Sequence, residues 1–499
     1  MARLLTDHLL SVLIFLPSAA AVLLAFFPER AKGAVRGFTL AVSGLGFLLA
    51  ARLFLAFRPD AGFQFNESAP WIPAFNIHWF VGVDGISLLM VVLTNFLMPV
   101  VILSSTRFIQ EHVKAYHIAF LVLQTGMLGS FLALDLFLFY IFWELMLIPM
   151  YLIIGVWGGK QRIYAAVKFF IFTAVGSFLM FLAILWMVAQ RYAITGGLDF
   201  AVFSYYPSGL DAAQQLWPFL AFTLAFAIKV PMFPFHTWLP DAHTEAPAGG
   251  SIILAGVLLK LGAYGMLRFS VPMFPAALAE CLPWLLALSV VGILYGAWVC
   301  FAQDDLKKLI AYSSVSHLAF VTLGIFALTP AAVSGAVLQM VNHGLSTGAL
   351  FLLVGILYER RHTRMMADFG GLAKTLPVYS ALFLVVTLSS VGLPGLNGFW
   401  GEFLVLAGTF QASPWAAGFA ASGVIFAAVY LLTAVRRVFF GAVTHEENKG
   451  LADLDARELF CTAALIVPMV WIGVYPKFFL DKITPAIEHY LTVVKGLMP

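Results

Sequence analysis

Apolar runs long enough to cross a bilayer recur from one end of this chain to the other, and nothing constrains its fold more. A helix crosses the hydrocarbon core in about 17–25 residues. About fourteen such stretches can be marked, near 8–27, 34–55, 84–103, 116–134, 136–157, 164–189, 215–236, 247–268, 283–301, 309–328, 331–358, 377–410, 416–440 and 459–480. Where water cannot reach the backbone, its polar groups must pair within the chain, which leaves helices or a closed barrel. A barrel would show alternating segments of about ten residues, and these runs do not alternate. The sequence therefore predicts an all-α, polytopic membrane protein. The opening MARLLTDHLLSVLIFLPSAAAVLLAFF reads as a first retained span, because its basic segment is weak and many similar spans follow.

Only 11% of the residues are charged, against about 25% in a soluble domain. A net charge of +3 gives no electrostatic case for nucleic acid. Cys281, Cys300 and Cys461 stand apart in apolar surroundings and form neither a metal-binding spacing nor a disulfide framework. No glycine-rich phosphate loop, haem pair or iron–sulfur cysteine run occurs. The chain is expected to hold no metal and no redox cofactor of its own.

Two of the fourteen runs are irregular. The seventh is interrupted by Pro231 and Pro234, and the twelfth is too long and carries Gly392, Pro394, Gly395 and Gly398 midway. Proline removes a backbone donor and clashes with the preceding turn, so both helices should break. The two lie five spans apart, an odd separation that gives them opposite topology. Broken helices at matching places of inverted repeats point to a transport site. The expected organisation is residues 1–115 with spans 1–3, a five-helix repeat at 116–270, its inverted copy at 283–440, and a loop with span 14 at 441–499.

Eighteen of the 28 Lys and Arg residues fall in the loops after spans 1, 3, 5, 9, 11 and 13. Eight, Arg3 and Arg268 among them, fall on the opposite side, and Lys229 and Lys260 lie inside spans. Basic loops stay in the cytoplasm, so both termini are expected outside it. The segment after span 7 carries Asp241, His243 and Glu245 with no basic residue. It is either a plain connection or a specialised one.

An ionisable side chain at the bilayer centre costs about 2.5–3.5 kcal/mol on insertion scales, and such residues usually mark ion pathways. Glu144 lies nine residues beyond Asp135, about 13 Å along a helix, which puts Glu144 near mid-membrane and Asp135 at a helix start. Lys229 stands just before the break of span 7. Burial disfavours its charged form and a nearby carboxylate restores it, so a neighbour can tune its proton. Lys260 is flanked by apolar residues in span 8, placed as an internal relay. Glu402 follows the break of span 12 as the counterpart of Lys229, or as a cap on the second half-helix. His317 and His343 fit a relay as well as they fit a packed core. Secondary candidates are His236 as a partner of Lys229, Asp135, and Lys308, which with Lys307 serves either topology or proton intake. A line of proton carriers with no reactive centre indicates ion translocation.

The segments FWELMLIPMYLIIGVWG, AFAIKVPMFPFHTWLPDAHTEAPAGGSIILAGVLLKLGAYG, DDLKKLIAYSSVSHLAF and GLPGLNGFWGEF resemble the antiporter-like membrane subunits of respiratory complex I, NADH:quinone oxidoreductase. The likeness is closest to the chain M type (mitochondrial chain 4), since relatives of the chain L type carry lysine where Glu402 stands. The resemblance implies a proton-translocating subunit in which Glu144 pairs with Lys229, Lys260 is the central lysine, His317 and His343 belong to the channel, and Glu402 lies on the outward side. It also implies that NAD, flavin, iron–sulfur clusters and quinone belong to partner subunits. The chain would sit in a bacterial inner membrane, between two related antiporter-like membrane subunits. Rival readings are a subunit of a multi-chain Na⁺/H⁺ antiporter, one of a related membrane-bound hydrogenase, or a scaffold that moves no ions.

The orientation has a direct test. Alkaline phosphatase fused after Pro499 is expected to be active in cells, and the same enzyme fused after Arg364 inactive. The opposite pattern would refute periplasmic termini.

Overall fold

The computed structural model describes residues 7–498; Arg3 lies outside them. In chain order the helices are α1 (Leu9–Ala25) and α2 (Lys32–Ala56), then α3 (Gly85–Ser104), α4 (Val113–Leu132), α5 (Leu136–Trp157), α6 (Arg162–Thr195), α7 (Ala212–Lys229) and α8 (Trp238–Glu245). They continue with α9 (Ala248–Met273), α10 (Pro275–Phe301), α11 (Leu306–Phe326), α12 (Pro330–Arg361), α13 (Pro377–Val391), α14 (Asn397–Ala412), α15 (Pro414–Phe439), α16 (Ala456–Val474) and α17 (Lys477–Leu497). Eleven of these are long and apolar enough to cross a membrane. Helices α9, α11 and α12 are buried almost throughout and form the core. Helices α2, α10 and α15 ring it, with outward residues such as Leu48, Trp284, Trp298 and Ile425 exposed.

Both expected breaks are present. After α7 the chain turns irregularly through two cis peptide bonds, Val230–Pro231 and Phe233–Pro234, before α8. After α13 the backbone enters left-handed conformations at Gly392 (φ 85°) and Gly395 (φ 92°) and restarts at Asn397. The order of helices also repeats. Helices α5, α6, α7 and α9 begin at 136, 162, 212 and 248, and α11, α12, α13 and α15 begin at 306, 330, 377 and 414, a nearly constant spacing. Asp135 caps α5 by accepting from Phe137 N and Leu138 N at 2.9 and 3.0 Å. Asp305 caps α11 in the same way, from Lys307 N and Lys308 N at 2.8 and 3.1 Å.

Three features depart from the sequence expectation. First, the chain is not wholly α: β1 (Gln64–Ile72) and β2 (Ile77–Val83) form an antiparallel hairpin between α2 and α3. Asn76 supplies the left-handed turn (φ 54°), and Glu67 of β1 accepts from Leu10 N (2.7 Å) and Ser11 N (3.2 Å), capping α1 from a distance. Second, the last span ends at Val474 and not near 480. Beyond Pro476 lies a separate amphipathic helix, α17, whose buried face is Ile483, Ile487, Leu491 and Val494. Lys477, Asp481, Lys482, Glu488 and Lys495 interrupt it, so it never reads as a long apolar run. Third, α9 is not uniform. Residues Leu254–Leu258 and Met266–Ser270 adopt π-helical turns, a local widening found mostly at functional sites.

Arg268, counted above among residues outside the membrane, lies instead in α9 and is 5% exposed. It binds Asp84 Oδ2 at 2.6 Å and Tyr264 Oη at 3.2 Å. Asp84 also caps α3 in a reciprocal box with Ser87. Breaking a buried pair by removing one partner costs about 3–5 kcal/mol, because the other charge is stranded. Arg268→Ala should therefore lower the thermal stability of the purified complex markedly, while the double variant Asp84→Ala/Arg268→Ala should regain part of the loss in a melting assay.

Candidate functional site: a buried line of proton carriers

Lys229 closes α7 and its side chain is 2% exposed. The broken end is held by one side chain and one backbone bond: Trp238 Nε1 donates to Ile228 O at 2.8 Å, and Met232 N to Ala227 O at 2.7 Å. Helix α9 lies directly against it. A Cβ at Gly262 would stand 2.6 Å from Phe226 O and 2.8 Å from Val230 N, so only glycine permits this approach. Lys229 Nζ sits 5.2 Å from the centre of the Trp143 ring and 5.6 Å from that of Phe169. An ammonium gains roughly 0.5–2 kcal/mol over an aromatic face.

The expected partners Glu144 and Lys229 are neighbours without direct contact. They lie within electrostatic reach but form no ion pair within 4.0 Å. Glu144 is half-buried on the outer face of α5, where Ile141 and Ile148 are exposed. An irregular turn at Met146 follows it, one turn ahead of Pro149. His236, expected beside Lys229, does not join it. It packs between Phe233 and Tyr295, ring centres at 5.8 and 5.0 Å, and its Nδ1 has no partner among the described residues. Asp135 acts as a helix cap. Lys308 lies half-buried in the first turn of α11, whereas Lys307 is buried and donates to Ala246 O at 2.5 Å.

The remaining candidates do converge. Lys260 is fully buried. Its Nζ contacts Ala255 O, the carbonyl at the first π-turn, and His343 Nδ1 at 2.7 Å. The His343 and His317 ring centres are 6.3 Å apart, and His343 Nε2 has no partner among the described residues. His317 Nδ1 meets Glu402 Oε1 at 2.7 Å. Gln339 Nε2 donates to the same oxygen at 3.1 Å. Glu402 is 3% exposed and lies well inside α14, so it does not cap that helix. Nor does it mirror Lys229 residue for residue, since Lys229 ends the half-helix before its break and Glu402 stands on the half-helix after.

With Lys260 donating to Nδ1, His343 carries its own proton on Nε2, which has no partner among the described residues. His317 in turn donates from Nδ1 to the carboxylate. Lys260, His343, His317 and Glu402 thus form a donor–acceptor series with a single interruption.

Sequence reading passed over three members of this neighbourhood. Gln339 carries no charge and gave no signal. Tyr430, whose hydroxyl lies 3.4 Å from His317 Nε2, reads as one aromatic among many. His243 was left open with its segment. It is fully buried, stacked on Phe351 at 4.5 Å, within electrostatic reach of Lys260 and Lys307. Both its ring nitrogens lack partners among the described residues.

The chain has recognisable relatives among known proteins. Residues 133–427 match the family described as NADH:quinone oxidoreductase/Mrp antiporter, TM, and residues 61–134 match NADH-ubiquinone oxidoreductase chain 4, amino terminus. The chain is 47% identical to NADH-quinone oxidoreductase subunit M of Rhodobacter capsulatus, over 97% of this chain and 96% of that one. It is 44% identical to NADH-ubiquinone oxidoreductase chain 4 of Marchantia polymorpha, over 96% of each. A chain in the structure of respiratory complex I from Thermus thermophilus with bound NADH superposes with a TM-score of 0.88 at 35% identity, over 97% of this chain and 99% of that one. The chain belongs to the subunit M (chain 4) family of antiporter-like membrane subunits of NADH:quinone oxidoreductase.

Proposed function

We propose that this chain translocates protons as a non-redox subunit of the complex, in a bacterial inner membrane with both termini on the periplasmic side. NAD, flavin, iron–sulfur clusters and quinone would be held by partner subunits, and its neighbours would be two related antiporter-like chains. The observation that carries this reading is the buried series Lys260–His343···His317–Glu402. The repeated helix order, with breaks after α7 and α13, supports two inverted five-helix units built around it.

In this mechanism the first half is the control site. An opposite charge at 4 Å is worth about 4 kcal/mol at an effective dielectric constant near 20, and each 1.4 kcal/mol is a factor of ten in proton affinity. Lys229 sits on Trp143 without touching Glu144. Drawing the carboxylate to the ammonium would therefore raise its hold on the proton several-hundredfold, and withdrawing it would release the proton.

The proton leaving Lys229 is taken by Lys260 and passed from Nζ to His343 Nδ1, while His343 gives up its Nε2 proton across the gap to His317. His317 then delivers from Nδ1 to Glu402 Oε1. The second carboxylate oxygen of Glu402 faces the break in span 12, 3.7 Å from where a Cβ of Gly392 would stand. The interrupted backbone there would give the carboxylate a way out.

In purified complex reconstituted into vesicles, Glu144→Gln and Lys229→Ala should each reduce proton pumping, and Lys260→Ala and Glu402→Gln should reduce it by about 100-fold, the scale of losing a positioned proton carrier. Full assembly with unchanged protons per NADH in all four would refute the relay.

A further inference from the structure

Helices α9 and α15 stand at matching places in the repeated order. Counted from their first residues Ala248 and Pro414, Tyr264 and Tyr430 fall at the same position, and one turn further on Arg268 matches Ala434. The surroundings of the two tyrosines differ sharply. Tyr264 is closed in. Its hydroxyl donates to Phe131 O at 2.9 Å, the Arg268 guanidinium lies on it, and Asp84 pins Arg268. Among the described residues no paired guanidinium lies on Tyr430. Ala434 instead lines a cleft of about 30 Å³ with Tyr430, Cys300, Gln303, Thr433 and Arg437. A water needs roughly 10–15 Å³ and two or more polar partners, and this cleft meets both conditions. Phe301, Thr433 and Arg437 at its rim are exposed. They lie near the ends of α10 and α15, on the side assigned to the cytoplasm.

We infer that Tyr430 and this cleft form a second, cytoplasm-facing proton intake that loads His317 directly, as an obligatory step of each cycle beside the delivery through Lys229 and Lys260. This rests on the relay reading above. The geometry suits the step. His317 Nδ1 donates to Glu402, which leaves Nε2 as the acceptor, and the Tyr430 hydroxyl is 3.4 Å from it. The hydroxyl gives its proton to Nε2 and regains one from a hydronium in the cleft, so the phenol is unchanged and the imidazole gains one positive charge beside the carboxylate. The plug at Tyr264 denies the first half an equivalent opening on the opposite face.

The test uses inverted membrane vesicles containing the whole complex, whose outer face is the cytoplasmic one, with proton uptake measured per NADH oxidised. Tyr430→Phe keeps the ring and removes the hydroxyl, and uptake should fall about tenfold. Independently, Ala434→Leu fills the cleft without removing the hydroxyl, and uptake should fall by a similar factor. Normal uptake in assembled Ala434→Leu, or in assembled Tyr430→Phe, overturns the intake. Lys260→Ala measured alongside separates the two levels. If it too pumps normally, the relay itself falls; if it fails while the cleft variants pump, only the second intake does.

Discussion

In hydrocarbon a peptide group has no water to fall back on, and an interrupted helix strands several at once. The polar interior of this protein is arranged around that constraint. At the first break, Trp238 satisfies the carbonyl of Ile228. At the second, Asn342 Nδ2 donates to Asn397 O at 2.7 Å and Ser389 Oγ to Asn397 Oδ1 at 2.5 Å. Gly398 brings α14 so close to α13 that a Cβ there would collide with Ser389 O. The same interruptions admit charge. Lys229 ends the half-helix before one break, and Glu402 opens toward the other.

Charge outside the relay is handled differently. Arg268–Asp84, Arg360–Glu458 and Lys168–Asp241 are close pairs of 2.6, 2.6 and 2.7 Å, mutually neutralised and locked to helix ends. Along the relay, lysine meets imidazole and imidazole meets carboxylate, partners that can each exchange a proton. A guanidinium cannot serve there, since it stays protonated throughout any accessible range. In the proposed relay, the division would lie between carboxylate-paired charges that seal and a line of Lys, His and Glu that can pass a proton on.

How much of this was legible in the sequence follows from which physics leaves a local trace. Apolar runs and prolines do, so the spans and both breaks could be read from Pro231, Pro234 and Gly392–Gly398. Isolated charges in those runs do as well, which singled out Lys229, Lys260, Glu144 and Glu402. The hairpin at 64–83 left no signal among polar connections, and α17 hid because amphipathic helices are not apolar runs. Arg268 was misplaced because its partner Asp84 is far away in the chain, and a charge near a span end reads as outside until its partner is known. His317 and His343 could not be separated from core histidines, since only the fold sets one against Glu402 and the other against Lys260. The π-turns of α9 left no trace, since no local propensity encodes them.

The position of Glu144 has the widest consequence. A carboxylate on the outer face of α5, among exposed isoleucines, is a poor choice for an interior relay and a good one for a sensor. Its charge lies at the edge of this chain, where the field of an adjacent subunit is screened least, yet it remains within electrostatic reach of Lys229. Trp143, the residue before it, supports the ammonium when the carboxylate is remote. The lysine thus has two environments of unequal strength, an aromatic face and an anion, and a small displacement of α5 exchanges them. The irregular turn at Met146 is where α5 can yield, because Pro149 leaves Leu145 O without its helical donor. In the proposed mechanism, coupling between neighbouring subunits would rest on which of these two partners Lys229 faces.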